Sequence, residues 1–156
     1  MNIEIKKAKL DEIELLIKWR MKVLSEVFSI SSNQSLKNLE YENRIYYQNA
    51  LSKEKHIACF AYVDNKVVGC GGVCFYRELP SPDNINGNCA YLMNIYTRPE
   101  FRGQGIGGKI VNWLVQQAQN KKVMKIYLEA SEYGYSLYQK LGFHDMYNYM
   151  KLKNNL

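Results

Sequence analysis

Apolar and polar residues alternate from Ile3 to Lys7, the period of a strand with one buried face. The rhythm then lengthens to that of a helix: Asp11 stands where an N-cap or first-turn acid belongs, and Ile13, Leu16, Ile17, Arg20, Leu24 and Val27 follow at helical spacing. A polar break at Ser31 to Gln34 precedes a second predicted helix from Ser35 to Leu51. Two strand runs come next, His56 to Val63 and Lys66 to Tyr76, joined through Asp64-Asn65 as a tight hairpin. Arg77 to Asn88, with two prolines and several turn formers, reads as a mobile loop.

A strand is predicted over Cys89 to Thr97, followed by a proline turn and the glycine run Gly103 to Gly108. Ile106, Ile110, Trp113, Leu114 and Ala118 give one apolar face to a helix over Gly105 to Asn120. A strand over Lys125 to Ala130, a helix over Tyr135 to Leu141 and a last strand over Met146 to Leu152 complete the pattern. The order βααββ-βαβαβ predicts an α/β (α+β) fold: a mixed, mostly antiparallel sheet of about six to seven strands flanked by helices. At 156 residues the chain suits a single domain over residues 1–156.

Composition narrows the function classes. Apolar residues make up 47% and charged residues 23%, as in a soluble globular protein. No run nears the roughly 18 apolar residues of a membrane helix, and the charged opening MNIEIKKAKLDEIE lacks a signal-peptide core, so the expectation is a cytoplasmic protein without a membrane partner. Cys59, Cys70, Cys74 and Cys89 form no CxxC pair and lie in apolar, strand-like runs for the most part, which reads as reduced packing cysteines and no metal. The net charge of +6 suits a polyanion, but the lysines are scattered and no arginine-rich stripe with aromatics appears. Nucleic acid is therefore not expected as the principal ligand.

The chemistry concentrates at Arg102-Gly103-Gln104-Gly105-Ile106-Gly107-Gly108, between a strand and a helix. Glycines there admit positive φ and close approach of a ligand to main-chain N–H groups, and the helix start adds unpaired donors and partial positive charge. With Arg102 beside them, these amides suit phosphates. Gly103-x-Gly105-x-x-Gly108 also matches the dinucleotide fingerprint, with Glu129 about twenty residues on. Against a nicotinamide dinucleotide, Arg98 to Arg102 separate the turn from its strand, and 27 residues after Glu129 are too few to finish such a sheet.

The segment from Leu92 through Arg98-Pro99 to Gly107 resembles motif A of the GNAT superfamily of N-acetyltransferases, and Leu137-Tyr138-Gln139-Lys140-Leu141-Gly142-Phe143 is similar to its terminal signature. The resemblance covers nearly the whole chain. It implies acetyl-CoA as co-substrate, with the Ile95, Tyr96 and Thr97 backbone pairing with the pantetheine arm and amides from Gly103 through Gln104, Gly105, Ile106 and Gly107 to Gly108 on the pyrophosphate. The strands around Tyr96 and Tyr127 would splay apart there. Ser131 stands where many members have asparagine.

By the same resemblance Tyr138 would protonate the departing thiolate, a strand N–H near Ile95 would meet the oxyanion, and no covalent intermediate would form. The first helix would border the acceptor cleft, making Arg20 and Glu26, with Tyr91 and Tyr76, candidates for a small-molecule or peptide amine. The strand before the glycine turn carries no carboxylate; Asn94 can orient water, and Glu129 is the candidate proton relay. A non-catalytic acyl-CoA sensor is the alternative, which the presence of Tyr138 disfavours. A homodimer is compatible with this reading.

Overall fold

The computed structural model describes residues 1–31 and 35–154. Its strands are β1 (Ile3–Lys7), β2 (His56–Val63), β3 (Lys66–Arg77), β4 (Asn88–Thr97) and β5 (Lys125–Leu128). The helices are α1 (Ile13–Val27), α2 (Lys37–Ser52), α3 (Ile106–Asn120) and α4 (Glu132–Lys140). Among the described residues the sheet has five strands in the order β1-β2-β3-β4-β5, antiparallel except for the parallel β4–β5 pair. Most of the polar break at Ser31 to Gln34 lies outside the described residues. No helix among them is long and apolar enough to cross a membrane.

The expected six to seven strands were too many. Met146 to Leu152 forms no strand: Asn148 takes a left-handed φ of 72°, and Met150 and Leu152 are 99% and 85% exposed. Its apolar residues stand in pairs rather than strict alternation, so no extended register would place them all on one covered face. β5 also stops at Leu128, two residues early, which leaves Glu129 just beyond its end.

Each face of the sheet carries its own core. Ile57, Cys59, Ala61 and Val63 of β2 point toward Ile106, Ile110, Val111 and Leu114 of α3. Ala58 and Phe60 point the other way, onto Leu16, Trp19 and Val23 of α1 and Tyr47 of α2. Burial on both faces explains the near-continuous apolar run of β2. The hairpin into β3 turns through Asp64 and Asn65 with φ of 47° and 62°, the pair of positive values a two-residue turn needs. The loop after β3, expected to be mobile, is pinned: buried Asn84 donates to Asn88 O at 3.0 Å, and Glu78 pairs with Lys125 at 3.0 Å.

α3 reaches β3 because Gly71 has no side chain. A Cβ there would lie 2.5 Å from Ile110 Cγ2 and 3.0 Å from Leu114 Cδ1. Opposite Gly71, β4 places two residues, Asn94 and Ile95, where β3 has one, and Asn94 takes φ 56°. This is a β-bulge, and it bends β4.

Beneath α2, His56 is 3% exposed, with Nδ1 2.8 Å from the Tyr46 hydroxyl and Nε2 without a partner. Burial, aided by the cation of Arg20, lowers its pKa from 6.5 to about 4.

Two outcomes are expected. Gly71→Ala should lose about 1–3 kcal/mol of stability in urea unfolding, because Ile110 and Leu114 must move; an unchanged midpoint would show that α3 gives way freely. Neutral His56 in the fold means that the unfolded chain binds a proton the folded chain does not, between pH 6.5 and about 4. Stability should therefore fall as pH drops through that window, by up to about 3 kcal/mol at roughly 1.4 kcal/mol per unit. His56→Gln should flatten that part of the profile; parallel slopes would clear His56 of the effect.

Candidate functional site

β4 and β5 pair over four residues, from Cys89↔Lys125 to Leu92↔Leu128. The pairing ends at Leu92, just before the bulge, and among the described residues the β5 side of β4 has no strand partner from Met93 to Thr97. The expected divergence around Tyr96 and Tyr127 thus begins one residue later on β5: Tyr127 still pairs with Tyr91, and their rings stand 5.1 Å apart. Ile95, Tyr96 and Thr97 all lie on the freed stretch.

The freed strand leads directly to the glycine turn. Gly103 and Gly105 take φ of 73° and 82°, conformations that favour glycine, and nothing lies within 4 Å of either Cβ position. Gly105 is the N-cap of α3, with no side-chain cap and no acid in the first turn. The first helical N–H to find a backbone acceptor is that of Lys109, on Gly105 O at 3.1 Å. The N–H groups of Ile106, Gly107 and Gly108 are thus left facing outward at an electropositive helix end, beside Arg102 and Gln104. Gly107 and Gly108 have a second role, since Leu137 of α4 packs 3.2 Å and 3.7 Å from their Cβ positions.

α4 brings Tyr138 alongside the end of β5. Ser131 caps this helix, its Oγ accepting from the Gly134 N–H at 3.2 Å, so the helix starts three residues before the predicted Tyr135. Gly142, at φ 96°, ends it, and Phe143 N–H folds back onto Tyr138 O at 3.0 Å. The Tyr138 ring is wedged between Gly134, whose Cβ would lie 2.7 Å from it, and Phe143, 6.0 Å away edge to face. Burial raises its phenol pKa further above neutrality. Tyr138, Leu128 and Ala130 line a cleft of about 510 Å³.

On the α1–α2 face, Arg20 Nε donates to Asn43 Oδ1 at 3.2 Å and Nη1 to Asn94 Oδ1 at 3.1 Å. Arg20 and Asn94 therefore meet just past the end of the β4–β5 pairing, near enough to Tyr91 for the Arg20 cation to oppose the burial-driven rise of its pKa. Tyr76 joins through its hydroxyl, 2.7 Å from that of Tyr127. Glu129 lies exposed at the end of β5, close enough for its charge to raise the Tyr91 pKa after burial, the larger cause.

Glu26 stands elsewhere. It accepts from the Tyr96 hydroxyl at 2.7 Å and pairs with Arg102 at 3.9 Å, beside the glycine turn rather than with Arg20. Asn43, Tyr46 and His56 carry no local sequence signal for their place near Arg20; only the packing of α1 and α2 onto the sheet assembles them.

A family model described as the acetyltransferase (GNAT) family matches residues 18–143. Thialysine N-epsilon-acetyltransferase of Bos taurus is 36% identical over 83 residues, 51% of this chain and 46% of that protein. The Sus scrofa protein of the same name is 36% identical over 95 residues, covering 47% of this chain and 56% of that one. The chain spans about half the length of these relatives. A predicted acetyltransferase from Clostridium acetobutylicum, crystallised with acetyl-CoA, is 28% identical with a TM-score of 0.86, covering 97% of this chain and 96% of that one.

The Glu26–Arg102 contact generates one expectation. Glu26→Gln keeps an acceptor for Tyr96 but removes the anion beside Arg102, whose Nε stays on Thr97 O at 2.9 Å, so acetyl-CoA should bind up to about fivefold tighter by calorimetry, the scale of an exposed ion pair. Equal or weaker binding would mean that Arg102 does not face the phosphates.

Proposed function

The chain belongs to the acetyltransferase (GNAT) family, and from that membership we propose that it moves the acetyl group of acetyl-CoA directly to an amine. The observation that carries the reading is the continuity of the freed edge of β4 with the uncapped start of α3. An extended amide-bearing arm matches the first, and a pyrophosphate matches the second. Arg102 and the N–H groups from Gly103 to Gly108 would hold the phosphates; Ile95, Tyr96 and Thr97 would pair with the arm. The Clostridium protein crystallised with acetyl-CoA supports this ligand.

In the reaction the amine nitrogen forms a bond to the thioester carbonyl carbon, and the C–S bond breaks as the tetrahedral intermediate collapses. An N–H of the bulged strand near Ile95 suits the oxyanion. The Tyr138 phenol, protonated at neutral pH, gives its proton to the departing thiolate. β4 carries no carboxylate, so water carries the amine's proton out, with Asn94 orienting it and Glu129 relaying it. Ser131 keeps one hydroxyl hydrogen to donate while it caps α4. The names of the cattle and pig relatives support a small-molecule amine as acceptor. Four free cysteines fit a reducing cytoplasm.

Thiol release from acetyl-CoA across an amine panel tests the activity. Tyr138→Phe should keep acetyl-CoA affinity and lose about 10²- to 10⁴-fold in kcat, whereas Glu129→Gln should lose less than about tenfold. Tight acetyl-CoA binding with no amine turned over would favour the sensor; an unchanged kcat in Tyr138→Phe would make that residue a packing group.

A further inference from the structure

Arg20 carries a charge that no ion pair among the described residues balances. Its guanidinium is half-buried, and its two hydrogen-bond partners, Asn43 Oδ1 and Asn94 Oδ1, are neutral amide oxygens. Each amide is itself oriented: the Asn43 amide nitrogen donates to Leu39 O at 2.8 Å, and the Asn94 nitrogen lies 3.9 Å from the Cys70 sulfur. Both carbonyls are thereby turned to Arg20. Among the described residues no carboxylate forms an ion pair with Arg20, and its Nη2 has no hydrogen-bond partner.

The uncompensated cation acts on its surroundings. It opposes the burial-driven rise of the Tyr46, Tyr47 and Tyr91 phenol pKa values and adds to the fall at His56. A planar, always-charged fork held by neutral neighbours is a ready receptor for a carboxylate, because an arriving anion gains charge-assisted hydrogen bonds that those neighbours do not offer.

Its position says which molecule would bring that anion. Asn94 belongs to the bulge where β4 leaves β5, and Tyr91, three residues earlier, feels both the Arg20 cation and the Glu129 carboxylate. Glu129 is likewise in no ion pair among the described residues. The acceptor face thus presents a cation on the α1 side and an anion at the end of β5, both within electrostatic reach of Tyr91, whose ring stands 5.1 Å from that of Tyr127.

Resting on the acetyl-transfer reading above, we propose that the acceptor is an amine that also carries a carboxylate, an amino-acid-like molecule, and that Arg20 is the specificity-determining residue that binds this carboxylate. The ammonium end then lies toward Glu129 and the divergence of β4 and β5, where deprotonation precedes attack.

The test uses matched pairs: lysine, ornithine and 4-aminobutyrate, each against its carboxamide, which keeps size and amine but removes the anion. For at least one pair the acid should be preferred by about tenfold or more in kcat/KM, mostly through KM, as loss of charge-assisted hydrogen bonds implies. Arg20→Gln should bring that ratio to between one and two, while Arg20→Lys should keep part of it. A variant that merely loosened the bulge would slow both members of a pair and leave the ratio intact. Equal or reversed preference in every pair overturns the proposal, as does a preference that survives Arg20→Gln. Should acetyl-CoA bind with no amine acetylated, the transfer reading fails alone. Calorimetry of the same pairs against the acetyl-CoA-loaded protein then decides the carboxylate site, and equal binding of acid and carboxamide rejects it.

Discussion

The bulge at Asn94 is the constraint on which the site depends. Two residues of β4 facing one of β3 break the ladder, and the bend carries β4 out of reach of β5 after Leu92. The stretch of β4 from Met93 to Thr97 thereby keeps one edge unpaired among the described residues. Asn94 adopts its left-handed backbone at modest cost for an asparagine. Its side chain is tied to α1 through Arg20, and Arg20 is tied to α2 through Asn43. The helices on one face therefore help hold a backbone irregularity that opens the sheet for chemistry.

The other face supplies the helix end. Gly71, opposite the bulge, lets Ile110 and Leu114 lie against β3, which seats α3 close to the sheet. Its N-terminus then emerges at the end of β4 with donors that no side chain caps. Leu137, resting on Gly107 and Gly108, sets α4 against the same turn and so fixes where Tyr138 stands. One glycine run thus does two jobs: Gly103 and Gly105 shape the backbone, and the next two glycines make room for a neighbouring helix.

What the sequence made legible follows from range. The glycine turn, the apolar face of α3 and the Tyr138 segment are local patterns, and each stands where the spacing put it. The Arg20–Asn43–Asn94 network joins residues 23 and 74 positions apart, so no window of sequence contains it. Glu26 was placed with the acceptor because it shares α1 with Arg20. Six residues turn a helix by well over one full rotation, which sends Glu26 to Tyr96 and Arg102 instead. The expected strand over Met146 to Leu152 does not form, because its apolar residues lack the strict alternation that one covered face requires.

The shortness of β5 has a consequence for motion. Four residue pairs join it to β4, against eight each for β2–β3 and β3–β4, and α4 has no fully buried residue. Lys125–Glu78 is a staple at one end of this seam, and the other end is open. Amide protons of β5 and α4 should then exchange through a partial opening that leaves β1 to β4 intact. A ligand lying along β4 and touching α4 would bridge the seam and raise the free energy of that opening by mass action. Hydrogen exchange in this C-terminal unit would report occupancy of the cleft from a part of the chain that need not touch the acetyl group.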